Sequence, residues 1–319
     1  MTRIVLAYSG GLETSIAIPW LADRHRTEVI AVTIDLGQGK DALEEIRDRA
    51  LATGALRAHV VDARDVFARD YIVRALKAGI LVDLSPVAAA LAHPLIARKV
   101  VEIANIEQAT TVAHGDPAGP RSPLDRTIRA LDPTMTVLAP AAEWGMALDA
   151  RLDYAQQRNV QLPVAFSGLG ERASAPRAAG AASGEPAFVD IAIEAGVPVG
   201  INGVIMPMLD LIGSLGIIAG AHGVASLAAL QTSHDALEKA AIASPGDVSA
   251  PRMAAAYLRV LREGAWFTPA RQALDANADA VQQYVSGVVR LKLFEGACTV
   301  GDVHVAASSR TIVLAKTND

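Results

Sequence analysis

Short apolar runs and helix-spaced stretches take turns along the first half of the chain. Arg3–Tyr8, Glu28–Ile34 and Thr110–Ala113 are rich in Val, Ile and Ala, as strands buried on both faces are. Ala58–Val61 and Thr136–Leu138 read as shorter strands. Thr14–Asp23, Asp41–Thr53, Phe67–Ala78 and Pro94–Ile103 carry helical spacing between them, with Pro94 at a helix start and His93 just before it. This rhythm predicts an α/β fold, a doubly wound parallel sheet. Ligands in such sheets sit at the carboxyl ends of strands. The segments "SGG", "DLGQG" and "AHG" all fall there.

The pattern changes further on. Ser167–Glu185 is rich in Gly, Ala, Ser and Pro and reads as a linker or mobile loop. Strands at Phe188–Ile193 and Val197–Ile201, then helices, then strands at Val288–Phe294 and Thr311–Ala315 predict a second, α+β domain. The expected division is 1–165 and 166–319. Val204–Leu230 reads as one helix, apolar all round, with Asp210 its only charge. Leu211–Leu230 has the length of a membrane span, but its glycines argue for a soluble fold. The expectation is no membrane contact and a homodimer built on this helix.

Composition narrows the classes. A chain of 319 residues with 51% hydrophobic content can bury a large core. A net charge of −5 and no run of Lys or Arg predict no nucleic-acid partner. The single cysteine, Cys298, excludes an internal disulfide and fits a reducing, cytoplasmic setting. The seven histidines show no metal-ligand spacing such as HExxH. Met1-Thr2-Arg3 leads straight into strand-like sequence, which predicts no signal peptide.

The opening stretch "AYSGGLETS", Ala7 to Ser15, carries the most specific chemistry. Glycines at a strand-to-helix turn let backbone N–H groups approach a ligand, and the helix start adds partial positive charge. Ser9, Thr14 and Ser15 can donate further hydrogen bonds, and a side chain on Gly10 would fall where phosphate oxygens should lie. Neither Gly-Lys-Ser/Thr nor GxGxxG is present, so this is not a Walker loop or a dinucleotide fingerprint.

"AYSGGLETS" resembles the SGGxDS pyrophosphate loop of N-type ATP pyrophosphatases. The resemblance extends in order to the argininosuccinate synthase family through "VIAVTIDLGQG", "LAHPLIARKVVEIA", "VAHG", "GVPVGING", "EGAWFTPARQALDA" and "SGVVRLKLFEG". It implies an adenine nucleotide alpha hydrolase-like domain followed by a synthetase-like domain, with ATP and Mg²⁺ as cofactors. The nucleotide set it implies is Ala7, Tyr8, Ser9, Gly10, Gly11, Glu13, Thr14, Ser15, Ile34, Asp35, Gln38 and Gly115. In that family the ureido oxygen of citrulline attacks the α-phosphorus of ATP, and the amine of aspartate then displaces AMP.

The chain departs from the family where the amino acids bind. Glu13 replaces the loop's usual Asp. A family segment like CTGKGNDQVRFE reads "DPAGPRSPLDRT" here, so Pro117, Arg121, Ser122 and Asp125 stand at the Thr, Asn, Asp and Arg positions. Ser85 stands for a Tyr, Ala89 for a hydroxyl residue and His93 for an Arg. Ser85, His93, Asp116, Arg121, Ser122, Asp125 and Arg126 are therefore the candidates for a different small-molecule substrate. The expected reaction is adenylation of a carbonyl, ureido or carboxyl oxygen and its condensation with an amine-type nucleophile. The alternatives are a non-catalytic ATP- or AMP-binding regulator and a sulfur- or ammonia-transferring pyrophosphatase.

Overall fold

The computed structural model describes residues 2–81, 84–161, 185–242 and 250–306, with the side chains of 84–86, 88, 89 and 250–252 left undescribed. Two compact units interleave along the chain. One comprises Met1–Phe67, Ser85–Ser174 and Leu258–Arg271, the other Ala68–Leu84, Ala175–Tyr257 and Gln272–Asp319.

The first unit is built on β1 (Arg3–Ala7), β2 (Glu28–Asp35), β3 (Arg57–Asp62), β4 (Thr111–His114) and β5 (Thr136–Leu138). They pair in parallel in the order β3-β2-β1-β4-β5. Ile4, Leu6 and Tyr8 alternate on one face and join Val29, Ala31 and Ala113 in a core shared with α1 (Leu12–His25) and α2 (Lys40–Ala52). Val5, Ile30 and Val32 point the other way and are also buried, so the sheet is covered on both sides as a parallel sheet requires. The chain steps from β1 outward through β2 to β3, then crosses to β4 on the other side of β1, and ligands in such sheets bind at that switch.

Two helices differ from the sequence reading. The helix expected over Phe67–Ala78 is α3 (Arg64–Phe67), a π-helical turn over Ala68–Ile72 and α4 (Val73–Lys77). One extra residue per turn shifts the hydrophobic spacing, which a 3.6-residue template does not register. α5 runs Leu84–Ile106 with Pro94 inside it, so His93 lies within the helix and not before its start. The alanine-rich stretch ahead of Pro94 has high helix propensity and carries the helix through a residue that removes one hydrogen bond and crowds the carbonyl four residues back.

The second unit holds β6 (Ala187–Glu194), β7 (Val197–Ile201), β8 (Val204–Ile205), β9 (Gly287–Phe294) and β10 (Ala297–Val305), antiparallel in the order β10-β9-β6-β7-β8. Val189, Ile191, Ile193, Val289, Leu291 and Leu293 form its buried face. On the other face Asp190 lies directly opposite Arg290 and accepts two hydrogen bonds from it, both 2.7 Å. The stretch Val204–Leu230 is not one helix. It is β8, then α9 (Met208–Gly220), a turn, and the start of α10 (Ser226–Ala241). Gly220 and Gly223 break the apolar run, and Gly223 takes φ +73° in the turn. β10 was not anticipated, since Gly301 and Asp302 interrupt its pattern beside a register shift between Val300 and Val303. The expected strand at Thr311–Ala315 and most of the Ser167–Glu185 segment lie outside the described residues.

At the amino ends of the parallel strands a single carboxylate ties three elements. Glu107, following α5, accepts hydrogen bonds from Arg57 at 2.6 and 2.9 Å and faces His59 Nε2 at 2.9 Å, while Arg3 donates to its carbonyl at 3.2 Å. Burial alone would raise the Glu107 carboxyl, but the bonds from Arg57 and His59 outweigh it and hold it below its ordinary value. Glu107→Ala is expected to lower stability by about 1.5–3 kcal/mol, read as a lower urea midpoint with unchanged slope.

Candidate functional site

Three loops meet at the carboxyl ends of β1, β2 and β4, which are adjacent strands. The first is the turn into α1. Gly11 is the N-cap of α1 and supplies no side-chain cap, and the Ser15 amide is the one that bonds back to the Gly11 carbonyl, at 2.9 Å. The amides before Ser15 have no intrahelical acceptor, and together with the helix dipole they form an anion-binding end. Ser9 Oγ and Thr14 Oγ1 lie 3.2 Å apart beside them.

Gly10 is held in the left-handed region at φ +76°, and Arg49 of α2 donates to its carbonyl at 3.0 Å. A Cβ on Gly10 would meet Ile46 Cγ1 at 2.8 Å. Substitution there would push on Ile46 and Arg49 of α2. Ser15 is fully buried, with its hydroxyl 3.0 Å from the Tyr8 hydroxyl. Ser9 is the partly exposed hydroxyl of the loop, while Tyr8, Thr14 and Ser15 are buried and Thr14 Oγ1 donates to the Gly11 carbonyl at 3.3 Å. Burial pushes the Tyr8 phenol up, and Ser15 partly offsets this.

The second loop closes on itself. Asp35 Oδ1 accepts from the Gly37 amide at 2.8 Å, and Gln38 accepts from Leu36 N at 2.6 Å while donating to the Ile34 carbonyl at 2.9 Å. Asp35 also lies 3.3 Å from Arg64 Nε. A cleft of about 700 Å³ beside this loop is lined by Asp35, Gly37, Lys40, Arg47, His59 and Arg64 among others, but by none of Ser9–Ser15, so it is not the phosphate cradle.

The third loop packs against the first. A Cβ on Gly115 would sit 2.6 Å from Thr14 Cγ2, so glycine lets the two loops touch. Beyond it the substrate candidates are mostly engaged with one another. Asp116 accepts from the Ala118 amide at 2.9 Å and from Ser122 Oγ at 2.6 Å, and Ser122 caps α6 (Pro123–Leu131) by accepting from Leu124 N. Asp125 is buried beneath His114 and takes Arg129 Nε at 2.5 Å. Arg126 donates to the carbonyls of Arg121 and Arg262. The Asp116 amide donates to His114 Nδ1 at 3.2 Å, which leaves the proton on Nε2, facing Asp125 at 3.4 Å.

His93 is the exception. Its Nδ1 is buried and has no partner among the described residues. Burial pulls its pKa down, with the Asp116 carboxylate opposing that shift and His114 adding to it. Ser85 lies in the first turn of α5, its side chain undescribed, and Arg121 is exposed at the end of a 3₁₀ turn. Sequence reasoning missed Arg151, whose Nη1 lies 2.8 Å from Glu13 Oε1. The one sequence signal was Glu13 itself, a longer acid in a loop that usually has a shorter one.

Residues 3–161 match the model of the argininosuccinate synthase N-terminal HUP domain, and residues 225–311 that of the argininosuccinate synthase C-terminal domain. The argininosuccinate synthases of Bacillus thuringiensis (strain Al Hakam) and Bacillus cereus (strain 03BB102) are each 33% identical over 343 residues, spanning 92% of this chain and 85% of theirs. The chain belongs to the argininosuccinate synthase family. Membership makes it an ATP-dependent carbon–nitrogen ligase acting on small molecules. A solved U34-tRNA thiolase NcsA from Methanococcus maripaludis, with its [4Fe-4S] cluster, aligns at 15% identity and TM-score 0.32 over 54% of this chain and 62% of that one, a likeness too slight to argue from. Among the described residues no helix is long and apolar enough to cross a membrane.

The buried imidazole makes acid stability a direct readout of this site. Burial lowers the His114 pKa from 6.5, with Asp125 only partly offsetting it. Below that value the unfolded chain binds a proton that the folded chain refuses, so stability falls as pH drops. The urea midpoint is expected to fall between about pH 7.5 and 5.5, and less steeply in His114→Gln.

Proposed function

We propose that this family member activates a small molecule other than citrulline and joins it to a nucleophile other than aspartate. The observation that carries this is the internal bonding of Asp116, Ser122, Asp125 and Arg126, which occupies the polar groups of the segment expected to recognise substrate. A site lacking the partners for a charged substrate rejects it by orders of magnitude. In the proposed reaction an acceptor oxygen attacks the α-phosphorus of ATP, and pyrophosphate departs. An amine then attacks the adenylated carbon, and AMP departs with the acceptor's former oxygen.

The loop amides around Gly10–Glu13, with Ser9 and Thr14, hold the leaving pyrophosphate and stabilise its growing charge. Ala7, Ile34 and Gly115, with the Asp35–Gln38 turn, flank the adenosine. His93 offers its free ring nitrogen to the acceptor, with Asp116 nearby. Among the described residues no cluster of three or more His, Cys, Asp or Glu is placed to hold a metal. Mg²⁺ is proposed to enter on the nucleotide phosphates, as it commonly does, where it would neutralise their charge. Nucleotide binding is assigned to 1–165 and the synthetase-like part to 166–319, in a cytoplasmic protein. Cys298, half-buried in β10 with its thiol pushed up by burial, gives a sulfur-transfer reading no support.

With citrulline, aspartate and ATP, the purified chain is expected to form no argininosuccinate by mass spectrometry. Product at a rate typical of a dedicated biosynthetic enzyme would overturn the reading.

We propose further that the chain is a homodimer joined through α9. Ile217 is 78% exposed, and a Cβ on Gly213, Gly216 or Gly220 would meet nothing within 4 Å, so no contact within the fold accounts for these helix glycines. Each costs about 0.5–1 kcal/mol against alanine and permits close backbone approach by a second copy. Asp210 is the only charge on α9, and exposed Val204 and Ile205 lead into it, extending the apolar area toward the ~800 Å² per partner of a standard interface. Light scattering should find dimers, and monomers or aggregates for Ile217→Glu. An unaltered chain that stays monomeric at high concentration would refute this.

A further inference from the structure

The acid that marks the phosphate loop as unusual is already neutralised. Glu13 lies in the first turn of α1, beside the uncapped amides, where a free carboxylate would repel an incoming phosphate. Its extra methylene carries the carboxylate to Arg151, 2.8 Å away. Arg151 comes from α8 (Leu148–Gln157), which is anchored to α1 where Leu12 and Ile16 pack with Ala155, Leu152 and Tyr154. The guanidinium has five N–H donors in a fixed fork. Its side chain is only 24% exposed, the contact to Glu13 uses Nη1, and Nε is buried with no partner among the described residues. A half-buried cation with donors to spare, held at the mouth of an anion-binding helix end, is suited to bidentate contact with phosphate.

Taking the nucleotide site proposed above as given, we infer that Arg151 binds the pyrophosphate half of the bound ATP and that Glu13 is its positioning residue. The pair thus supplies a cation to the loop through an acid that would otherwise oppose the ligand. Because the contact is to the β- and γ-phosphates, it strengthens ATP and pyrophosphate but not AMP. A purely structural clamp between α1 and α8 would affect all three alike.

The test is calorimetric titration of the full chain with ATP, inorganic pyrophosphate and AMP, alongside melting curves. Arg151→Gln is expected to weaken ATP and pyrophosphate by about tenfold or more while leaving AMP within about twofold, and Arg151→Lys to restore part of the loss. Glu13→Gln keeps an oxygen for Arg151 but removes the negative charge, so ATP and pyrophosphate should tighten severalfold. Arg151→Gln that binds ATP as the unaltered chain does, or that loses AMP as much as ATP, overturns the assignment of Arg151. Glu13→Gln that weakens ATP as much as Arg151→Gln does overturns the charge argument. Failure of the unaltered chain to bind ATP overturns the nucleotide site, and this inference with it.

Discussion

The first turn of α1 begins on a glycine that supplies no side-chain cap, and the structure around it is arranged to leave those amides open. Unpaired helix-end N–H groups are tolerated where solvent or an anion can satisfy them. The surroundings keep the turn in place without filling it. Arg49 holds the Gly10 carbonyl from α2, Tyr8 and Ser15 link hydroxyls underneath, and Thr33 donates to the Tyr8 carbonyl from the neighbouring strand at 3.0 Å. Each of these contacts lies behind the loop. Of the hydroxyls of Ser9, Thr14 and Ser15, only that of Ser9 belongs to a partly exposed residue.

Two kinds of sheet support this arrangement in different ways. The inner strands β1, β2 and β4 of the parallel sheet are apolar on both faces and read as near-continuous hydrophobic runs, whereas the edge strand β3 has no buried residue. The antiparallel sheet buries one face and sets the Asp190–Arg290 pair on the other, so its strands alternate. That contrast made the change of architecture along the chain visible in its polar pattern.

Much of the fold was legible for this reason. β1, β2 and β4 were found because Val and Ile runs of strand length are bounded by glycine turns, and the three ligand loops followed from their position at strand ends. Legibility failed where context overrode a local rule. Pro94 reads as a helix start, yet strong helix formers precede it. Val204–Leu230 reads as one apolar helix, yet glycines divide it. In the site the loops were readable but the partners were not. Ser122 before Pro123 is a helix-start signal and Asp125–Arg129 is an i,i+4 pair, but nothing in the spacing shows that Asp116 bonds to Ser122, because that contact depends on how a proline-containing loop folds back. Glu13 and Arg151 are 138 residues apart, and no periodicity connects them.

The self-satisfied loop between β4 and α6 also bears on how the chain can change. Several side chains there are held by the fold itself, through capping and burial. Ser122 and Asp125 are fixed by the helix start and by Arg129, whereas exposed Pro117 and Arg121 carry no such duty. Substitution at these exposed positions can therefore alter the loop's surface while the bonded side chains keep its backbone in place. Variation of that kind leaves untouched the helix cap and the buried carboxylate on which the start of α6 depends.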